Sequence, residues 1–166
     1  VDNVTNGTLV LNTNGGFVYA PNQNFNGVDS FTYKANDGSA DSSVVTVTIT
    51  VNPVNDAPVA LDDEYNVNED TELEVLLPGV LLNDSDVDGD TLEAVLVSDV
   101  TNGTLNLESD GNFTYMPNPD FNGTDSFTYK ANDGDDNSNT VTVEIIVGSV
   151  PDSQCDDDII LIWLMS

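Results

Sequence analysis

The stretch VTNGTLVLNTNGGFVYAPNQNFNGVDSFTYKANDG, residues 4–38, returns as VTNGTLNLESDGNFTYMPNPDFNGTDSFTYKANDG at residues 100–134. The offset is 96 residues without a gap, and 25 of the 35 positions are identical. The same register continues beyond these stretches, because the apolar alternate positions 45 to 51 correspond to positions 141 to 147. A period of this length is that of a whole domain, not of a short solenoid repeat.

The repeat divides the chain into unequal parts. Residues 57–147 form one complete copy, whereas residues 1–52 correspond only to the second half of a preceding copy. A proline-containing linker, residues 53–58, joins them, and residues 148–166 form an irregular tail that is first acidic and then apolar. We expect the partners of the half copy, equivalent to residues 57–96, to lie upstream, and the half copy alone to expose an apolar sheet face.

The complete copy has the pattern of an all-β domain. Apolar and polar residues alternate with a period of two, and Asn-Gly or Asp-Gly turn signals separate the runs. The predicted strands are 59–67, 71–77, 91–98, 103–107, 112–116, 125–132 and 139–147. Seven short strands favour an immunoglobulin-like sandwich of two antiparallel sheets, with a different strand order as the alternative. The segment LLPGVLL, 76–82, fits either a bent strand or one helical turn.

The charge balance limits the possible ligands. The chain has 30 acidic residues against two lysines, no Arg and no His, which gives a formal net charge of −28. Nucleic acid and anionic membranes need a basic surface, so neither is expected as a partner. The apolar part of the tail is far shorter than the roughly 20 residues that span a bilayer, so no membrane span is predicted here. The single Cys155 permits no internal disulfide.

The segment NDSDVDGD, residues 83–90, concentrates carboxylates on alternate positions. Adjacent ionised carboxylates repel one another, so a cation is needed to hold them together. The segment begins like the D-x-[DN]-x-[DN]-G calcium loop, but Val95 occupies the twelfth position where that loop has Glu. An EF-hand is therefore not expected, although ligands that are all oxygen still favour calcium over zinc or copper. The alternative is a solvated acidic turn, since Asp, Asn and Gly form turns readily.

Two further segments are expected near this loop in a sandwich. The segment ANDGDDN, 131–137, joins the last two strands, and the chain enters through VNPVNDAP, 51–58. Both would lie at the same end of the sandwich as residues 83–90. The predicted calcium ligands are Asn55, Asp56, Asp84, Asp86, Asp88, Asp90 and Asp133.

Residues 1–147 resemble the cadherin-like and immunoglobulin-like tandem repeats of large bacterial surface adhesins, through the signature NGTL…F.Y.PN..F.G.DSF.Y. Cadherins bind calcium at domain junctions through a linker N-D motif, a D-x-D motif and an A-x-D-x-G motif. Here Asn55-Asp56 precedes Ala-Pro as in the linker motif, and Asp86-Val87-Asp88 matches D-x-D. The resemblance therefore implies one or two calcium ions.

The match to the cadherin motifs is incomplete. Asp133 follows Ala131 at the right spacing, but the Gly comes one place early. Pro53 stands where cadherins have the first Asp of the linker.

These features predict a non-enzymatic, calcium-rigidified repeat module of an extracellular adhesin or surface protein. Its partners would be neighbouring repeats, with a cell-surface protein or glycan as the adhesion ligand. Catalysis is not expected, because His is absent and the acids cluster at one end instead of facing each other across a cleft. The alternative is a carbohydrate-binding or accessory module of a secreted hydrolase.

Overall fold

The computed structural model describes residues 2–151. The chain forms two compact units, Val1–Asp56 and Ala57–Ser166. Most of the predicted tail, including Cys155, lies outside the described residues.

The first unit consists of two antiparallel strand pairs. In the first pair, β1 (Gly7–Leu11) runs beside β2 (Phe17–Pro21). In the second, β3 (Gly27–Tyr33) runs beside β4 (Val45–Val51). Each pair is a separate two-stranded sheet.

The second unit is a sandwich of two larger sheets. Its elements are β5 (Asp63–Asn68), β6 (Leu73–Val75), a 3₁₀ turn (Gly79–Leu81), β7 (Glu93–Ser98), β8 (Gly103–Leu107), β9 (Phe113–Pro117), β10 (Gly123–Asn132) and β11 (Val141–Gly148). One sheet has the order β5-β11-β10-β7, and the other has the order β6-β9-β8. The strands β8 to β11 correspond in sequence to β1 to β4 of the first unit.

The predicted all-β sandwich is confirmed, with local differences. The first strand begins at Asp63 instead of residue 59, because Val59 makes only an isolated bridge to Ser85 before the chain reaches β11. The ambiguous segment 76–82 contains the 3₁₀ turn. One strand pair is parallel and not antiparallel as predicted. In this pair, β5 runs parallel to β11 along the outer edge of the four-stranded sheet.

The period-two pattern places one face of each strand in the core. In β11 the side chains of Val143 and Ile145 are fully buried, while Thr142 and Glu144 between them are exposed. Burying one such aliphatic side chain contributes about 1.5 to 3 kcal/mol. The aromatic residues of β9 and β10 complete the same core: Phe113, Tyr115, Phe127 and Tyr129.

Each unit also contains one buried carboxylate at the same place in the repeat. Asp125 accepts hydrogen bonds from the backbone amides of Thr101 and Asn102 at 3.0 and 2.8 Å, and from the Tyr115 hydroxyl at 3.0 Å. Asp29 accepts the equivalent bonds in the first unit, from Thr5, Asn6 and Tyr19. The conserved spacing of the Thr-Asn, Tyr and Asp residues between the two copies therefore has a structural cause.

Candidate metal centre

The acidic loop folds around one oxygen of Asp86. The Asp86 Oδ1 atom accepts hydrogen bonds from the backbone amides of Asp88 at 2.8 Å, Gly89 at 2.9 Å and Asp90 at 3.3 Å. Gly89 has a φ of 82°, a left-handed conformation that a residue without Cβ adopts at little cost. The sequence Asp-Val-Asp-Gly-Asp thus forms a tight turn that brings its alternate carboxylates together.

The second oxygen of Asp86 has no such partner. Among the described residues, the Asp86 Oδ2 atom is buried from solvent and accepts no hydrogen bond. Asp86, Asp88 and Asp90 each offer a carboxylate oxygen, and these three atoms lie within 4.8 Å of one another. An ionised oxygen that is buried without a partner is costly, and neighbouring negative charges increase that cost.

These donors fit a calcium ion. They are hard carboxylate oxygens on a short turn, and calcium accepts six to eight such ligands in irregular geometry. A divalent cation at this place would provide the missing partner of Asp86 Oδ2 and would offset the repulsion among the three carboxylates. The turn alone supplies three side chains, so further oxygens would have to complete the shell.

Asp84 belongs to a different cluster in the structure. Its Oδ1 atom accepts a hydrogen bond from the Leu61 amide at 2.9 Å, and its Oδ2 atom accepts one from the Tyr129 hydroxyl at 2.9 Å. The same hydroxyl lies 2.6 Å from the carbonyl oxygen of Val80 and 3.4 Å from Oδ2 of Asp63. A tyrosine hydroxyl has one proton, so it cannot donate to all three acceptors at once.

Asp63 is a residue that the sequence analysis missed. Burial raises its pKa to about 6, and the nearby charge of Asp84 adds to that rise. Burial likewise raises the pKa of Asp84. The only signal in the sequence is the acidic pair Asp62-Asp63 at the start of β5, and the alternation of Tyr129 with the polar Thr128 and Lys130 indicates only a core position. Sequence spacing alone does not show that a core hydroxyl faces two carboxylates.

The raised pKa leads to a stability prediction for Asp63→Asn. A carboxyl group with a raised pKa in the folded state stabilises the fold in its protonated form, below pH 3.8, and this contribution is lost as the pH rises through about 6. We therefore expect Asp63→Asn to raise the free energy of unfolding at pH 7 by about 1 kcal/mol, a value reduced because the side chain is only half-buried. Urea unfolding in EDTA at pH 4 and pH 7 measures the effect.

The control for that experiment is Glu64→Gln, which removes one negative charge from an exposed position on the same strand. We expect Glu64→Gln to have little effect at either pH. Equal stabilisation by both variants would mean that the gain comes from the lower net charge of the chain and not from the Asp63 site.

The remaining predicted ligands lie in other segments. Asp133 is in the loop between β10 and β11, where its Oδ1 atom accepts hydrogen bonds from the amides of Asp135 and Asp136 at 2.8 and 2.7 Å. Among the described residues, it is not part of the group that Asp86, Asp88 and Asp90 form. Asn55 and Asp56 lie at the end of the first unit.

Comparison with models of known protein families identifies the family of this chain. A family model described as a bacterial cadherin-like domain matches residues 1–53 and 55–149. The chain belongs to this family. The cadherin-like chain thus carries matches on both sides of Val54, one to the half copy and one to the complete copy.

Individual relatives are more distant. The chain is 32% identical over 123 residues to integrin beta-like protein E of Dictyostelium discoideum, a match that covers 65% of this chain and 6% of that protein. The human mucin-like protocadherin EC1-2 structure matches with a TM-score of 0.61 at 18% identity, over 89% of this chain and 81% of that one, which shows a shared fold. An endo-fucoidan hydrolase of glycoside hydrolase family 107 matches with a TM-score of 0.41 at 25% identity, over 90% of this chain and 23% of that one.

The described part of the cadherin-like chain contains no helix with the length and apolar character needed to cross a bilayer.

Proposed function

We propose that this cadherin-like chain is a non-enzymatic, calcium-binding repeat module of an extracellular surface protein, with an adhesion or stalk role. The observation that carries the proposal is the buried, unpartnered Oδ2 atom of Asp86 beside the carboxylates of Asp88 and Asp90. Membership of the cadherin-like family supports it, and so does the net charge of −28, which favours cations as ligands.

Binding of calcium would change the mechanics of the loop. Without a cation, the carboxylates of the loop repel one another by about 1 kcal/mol for each close exposed pair. With an ion shared among Asp86, Asp88 and Asp90, the segments that carry the ligands lose their independent motion. We propose Asn55, Asp56 and Asp133 as the additional oxygen donors, so that the ion would also restrict the linker between repeats. Asp84 would have to give up its hydrogen bonds from Leu61 and Tyr129 to join them.

Calcium should raise the thermal unfolding midpoint of the second unit, because a ligand that binds only the folded state stabilises it by mass action. At calcium concentrations 100-fold above the dissociation constant, the expected gain is about 2.7 kcal/mol. Calorimetric titration and thermal unfolding of the full chain, with calcium or with EDTA, measure both quantities. Magnesium should substitute poorly, since it prefers strict octahedral geometry and retains its waters.

Matched variants identify the ligands in the same titration. Asp86→Asn should weaken calcium binding at least tenfold. The control is Asp110→Asn, which removes an equal charge from a turn where the first copy has Asn14. Asp56→Asn, Asp84→Asn and Asp133→Asn test the additional donors one at a time. If calcium leaves the thermal unfolding midpoint unchanged and calorimetry detects no heat of binding, the acidic loop is a solvated turn and not a calcium site.

The carbohydrate-binding alternative has less support. A sugar-stacking surface needs a row of exposed aromatic rings, but Phe113 and Tyr115 of the complete copy are buried in the core, and of their two counterparts only Phe17 is exposed, at 45%. We therefore propose the calcium-dependent module first.

A further inference from the structure

The chain reaches β5 of the second unit through residues 59–62, which we call the entry strap. The strap is not part of a regular strand, and its backbone makes an isolated bridge between Val59 and Ser85. Within the strap only the small Ala60 is buried, whereas the side chains of Val59 and Leu61 are 54% and 53% exposed. Because the strap buries little apolar surface, its attachment to the unit depends mainly on hydrogen bonds.

One side of the entry strap is held by the acidic loop, residues 83–90. The Val59 amide donates a hydrogen bond of 2.8 Å to the carbonyl oxygen of Ser85, and the Ser85 amide donates one of 3.0 Å to the carbonyl oxygen of Val59. The Leu61 amide donates a hydrogen bond of 2.9 Å to Oδ1 of Asp84. These partners directly precede Asp86 in the chain, so the support on this side depends on how the acidic loop is folded.

The other side of the entry strap is held by the side chain of Asn139, which lies just before β11. The Ala60 amide donates a hydrogen bond of 3.2 Å to Oδ1 of Asn139. In return, Nδ2 of Asn139 donates one of 3.0 Å to the carbonyl oxygen of Ala60. A single carboxamide therefore bonds both backbone groups of Ala60, as the backbone of a neighbouring strand would.

Alternate residues of the entry strap thus face two different supports. Val59 and Leu61 bond the acidic loop, and Ala60 between them bonds Asn139. A short segment with few buried apolar contacts opens locally at a lower free energy than the core strands do. Since each support supplies only a few hydrogen bonds, loss of one support should release the whole strap and not a single bond.

We propose that the entry strap opens and closes as a unit, and that the acidic loop controls this movement. Once the carboxylates of the loop share an ion, the adjoining backbone of Asp84 and Ser85 is fixed, and the strap stays closed. This control by a cation rests on the proposed function. The movement of the strap as a unit rests only on the hydrogen bonds to the loop and to Asn139.

Opening of the strap changes the length of the connection between the two units. The linker 53–58 directly precedes the strap, so an open strap adds residues 59–62 to it. Four added residues correspond to about 13 Å of extended chain. In this way the acidic loop acts on the linker through the backbone of the strap, without any ligand from the linker itself.

Hydrogen exchange of single amides, measured by NMR on the full chain in EDTA, tests whether the strap moves as a unit. Asn139→Ala removes only the support at Ala60. We expect exchange to become at least tenfold faster at Val59 and Leu61 as well, although their own acceptors in the acidic loop are intact. The amides of β8 and β9 should change less than twofold.

The matched control is Asn137→Ala, which removes an asparagine of the same loop whose side chain accepts a hydrogen bond from Asn132. It should change exchange at the strap amides less than twofold. If Asn139→Ala accelerates exchange at Ala60 alone, or at none of the strap amides, the strap does not move as a unit. Equal acceleration in β8 and β9 would mean that the whole unit opens, and this result would also overturn the proposal.

The same measurement in calcium tests control by the acidic loop. At calcium concentrations that calorimetry shows to be saturating, exchange at Val59 and Leu61 should become at least tenfold slower than in EDTA, both in the original chain and in Asn139→Ala. Calcium binding without this slowing would overturn the control by the loop. Faster exchange at Leu61 would also overturn it, because Asp84 would then have left the strap for the ion. If calorimetry detects no binding, the proposed function and the cation control both fail, whereas the comparison in EDTA still decides whether the strap moves as a unit.

Discussion

Replacing Asp125 by Asn is expected to lower the free energy of unfolding of the second unit by roughly 3 kcal/mol. The carboxylate is 3% exposed and accepts bonds from the amides of Thr101, Asn102 and Ser126 and from the Tyr115 hydroxyl. The amide nitrogen of Asn would face donors where an acceptor is required, and at least one buried donor would remain unsatisfied. Urea unfolding followed by hydrogen exchange of the β10 and β11 amides measures the loss in this unit alone.

Asp110→Asn is the matched control for Asp125→Asn. It removes the same charge, and Asn14 already occupies the equivalent turn in the first copy, where its side chain accepts a hydrogen bond from the Gly16 amide at 3.1 Å. We expect this variant to change stability by less than about 0.5 kcal/mol. Equal losses for the two variants would contradict a specific role for the buried carboxylate.

The pH dependence provides a second readout for Asp125. Burial tends to raise its pKa, but the hydrogen bonds from Thr101, Asn102, Ser126 and Tyr115 outweigh burial and hold the pKa below the ordinary value of 3.8. A lowered pKa in the folded state gives stability that is present above pH 3.8 and is lost as the pH falls through the folded value. The difference in free energy of unfolding between the original chain and Asp125→Asn should therefore become smaller as the pH falls. A constant difference would mean that the variant acts through packing alone.

The strands of the second unit could be predicted because their signals are local. Period-two burial and Asn-Gly or Asp-Gly turns act over a few residues, and β8 occupies the predicted 103–107. The parallel pairing of β5 with β11 could not be predicted in this way, since it joins segments about 80 residues apart. Nothing in the sequence near Asp63 specifies which edge of the sheet it will meet.

The candidate metal centre likewise has a part that local sequence predicts and a part that depends on residues distant in sequence. The grouping of Asp86, Asp88 and Asp90 follows from alternate spacing and a Gly-containing turn, both of which are local. The different surroundings of Asp84 depend on Tyr129, which is distant in sequence and hydrogen-bonds the carboxylate from within the core. A run of carboxylates on alternate positions therefore predicts a common loop, but not a common set of contacts.

The sequence repeat predicted an exposed apolar face in the half copy, and the structure shows its extent. Phe17 and Val45 have the local conformation of the complete copy yet remain exposed. Local sequence thus determines the shape of the strand pairs, whereas burial of the core also depends on residues distant in sequence, such as Tyr65, which packs against Phe113. This separation of shape from burial makes the two units internal controls for each other.

Gly111→Ala should be among the most harmful single substitutions in the second unit, lowering its free energy of unfolding by roughly 3 kcal/mol or more. Part of the loss comes from φ, which is 90° and disfavours any residue with a Cβ by about 1 to 2 kcal/mol. The rest comes from collision of the new Cβ with the carbonyl oxygen of Pro78 and the side chain of Leu81. Relief of that collision would displace the 3₁₀ turn and with it the fully buried Val80.

Gly15→Ala separates the two causes, because Gly15 has nearly the same φ but nothing within 4 Å of an added Cβ. We expect Gly15→Ala to cost only the backbone strain of about 1 to 2 kcal/mol, measured by hydrogen exchange of the β1 and β2 amides. Equal losses for Gly15→Ala and Gly111→Ala would mean that the collision with Pro78 and Leu81 contributes nothing beyond backbone strain. The two glycines therefore separate the cost of the backbone conformation from the cost of displacing the 3₁₀ turn.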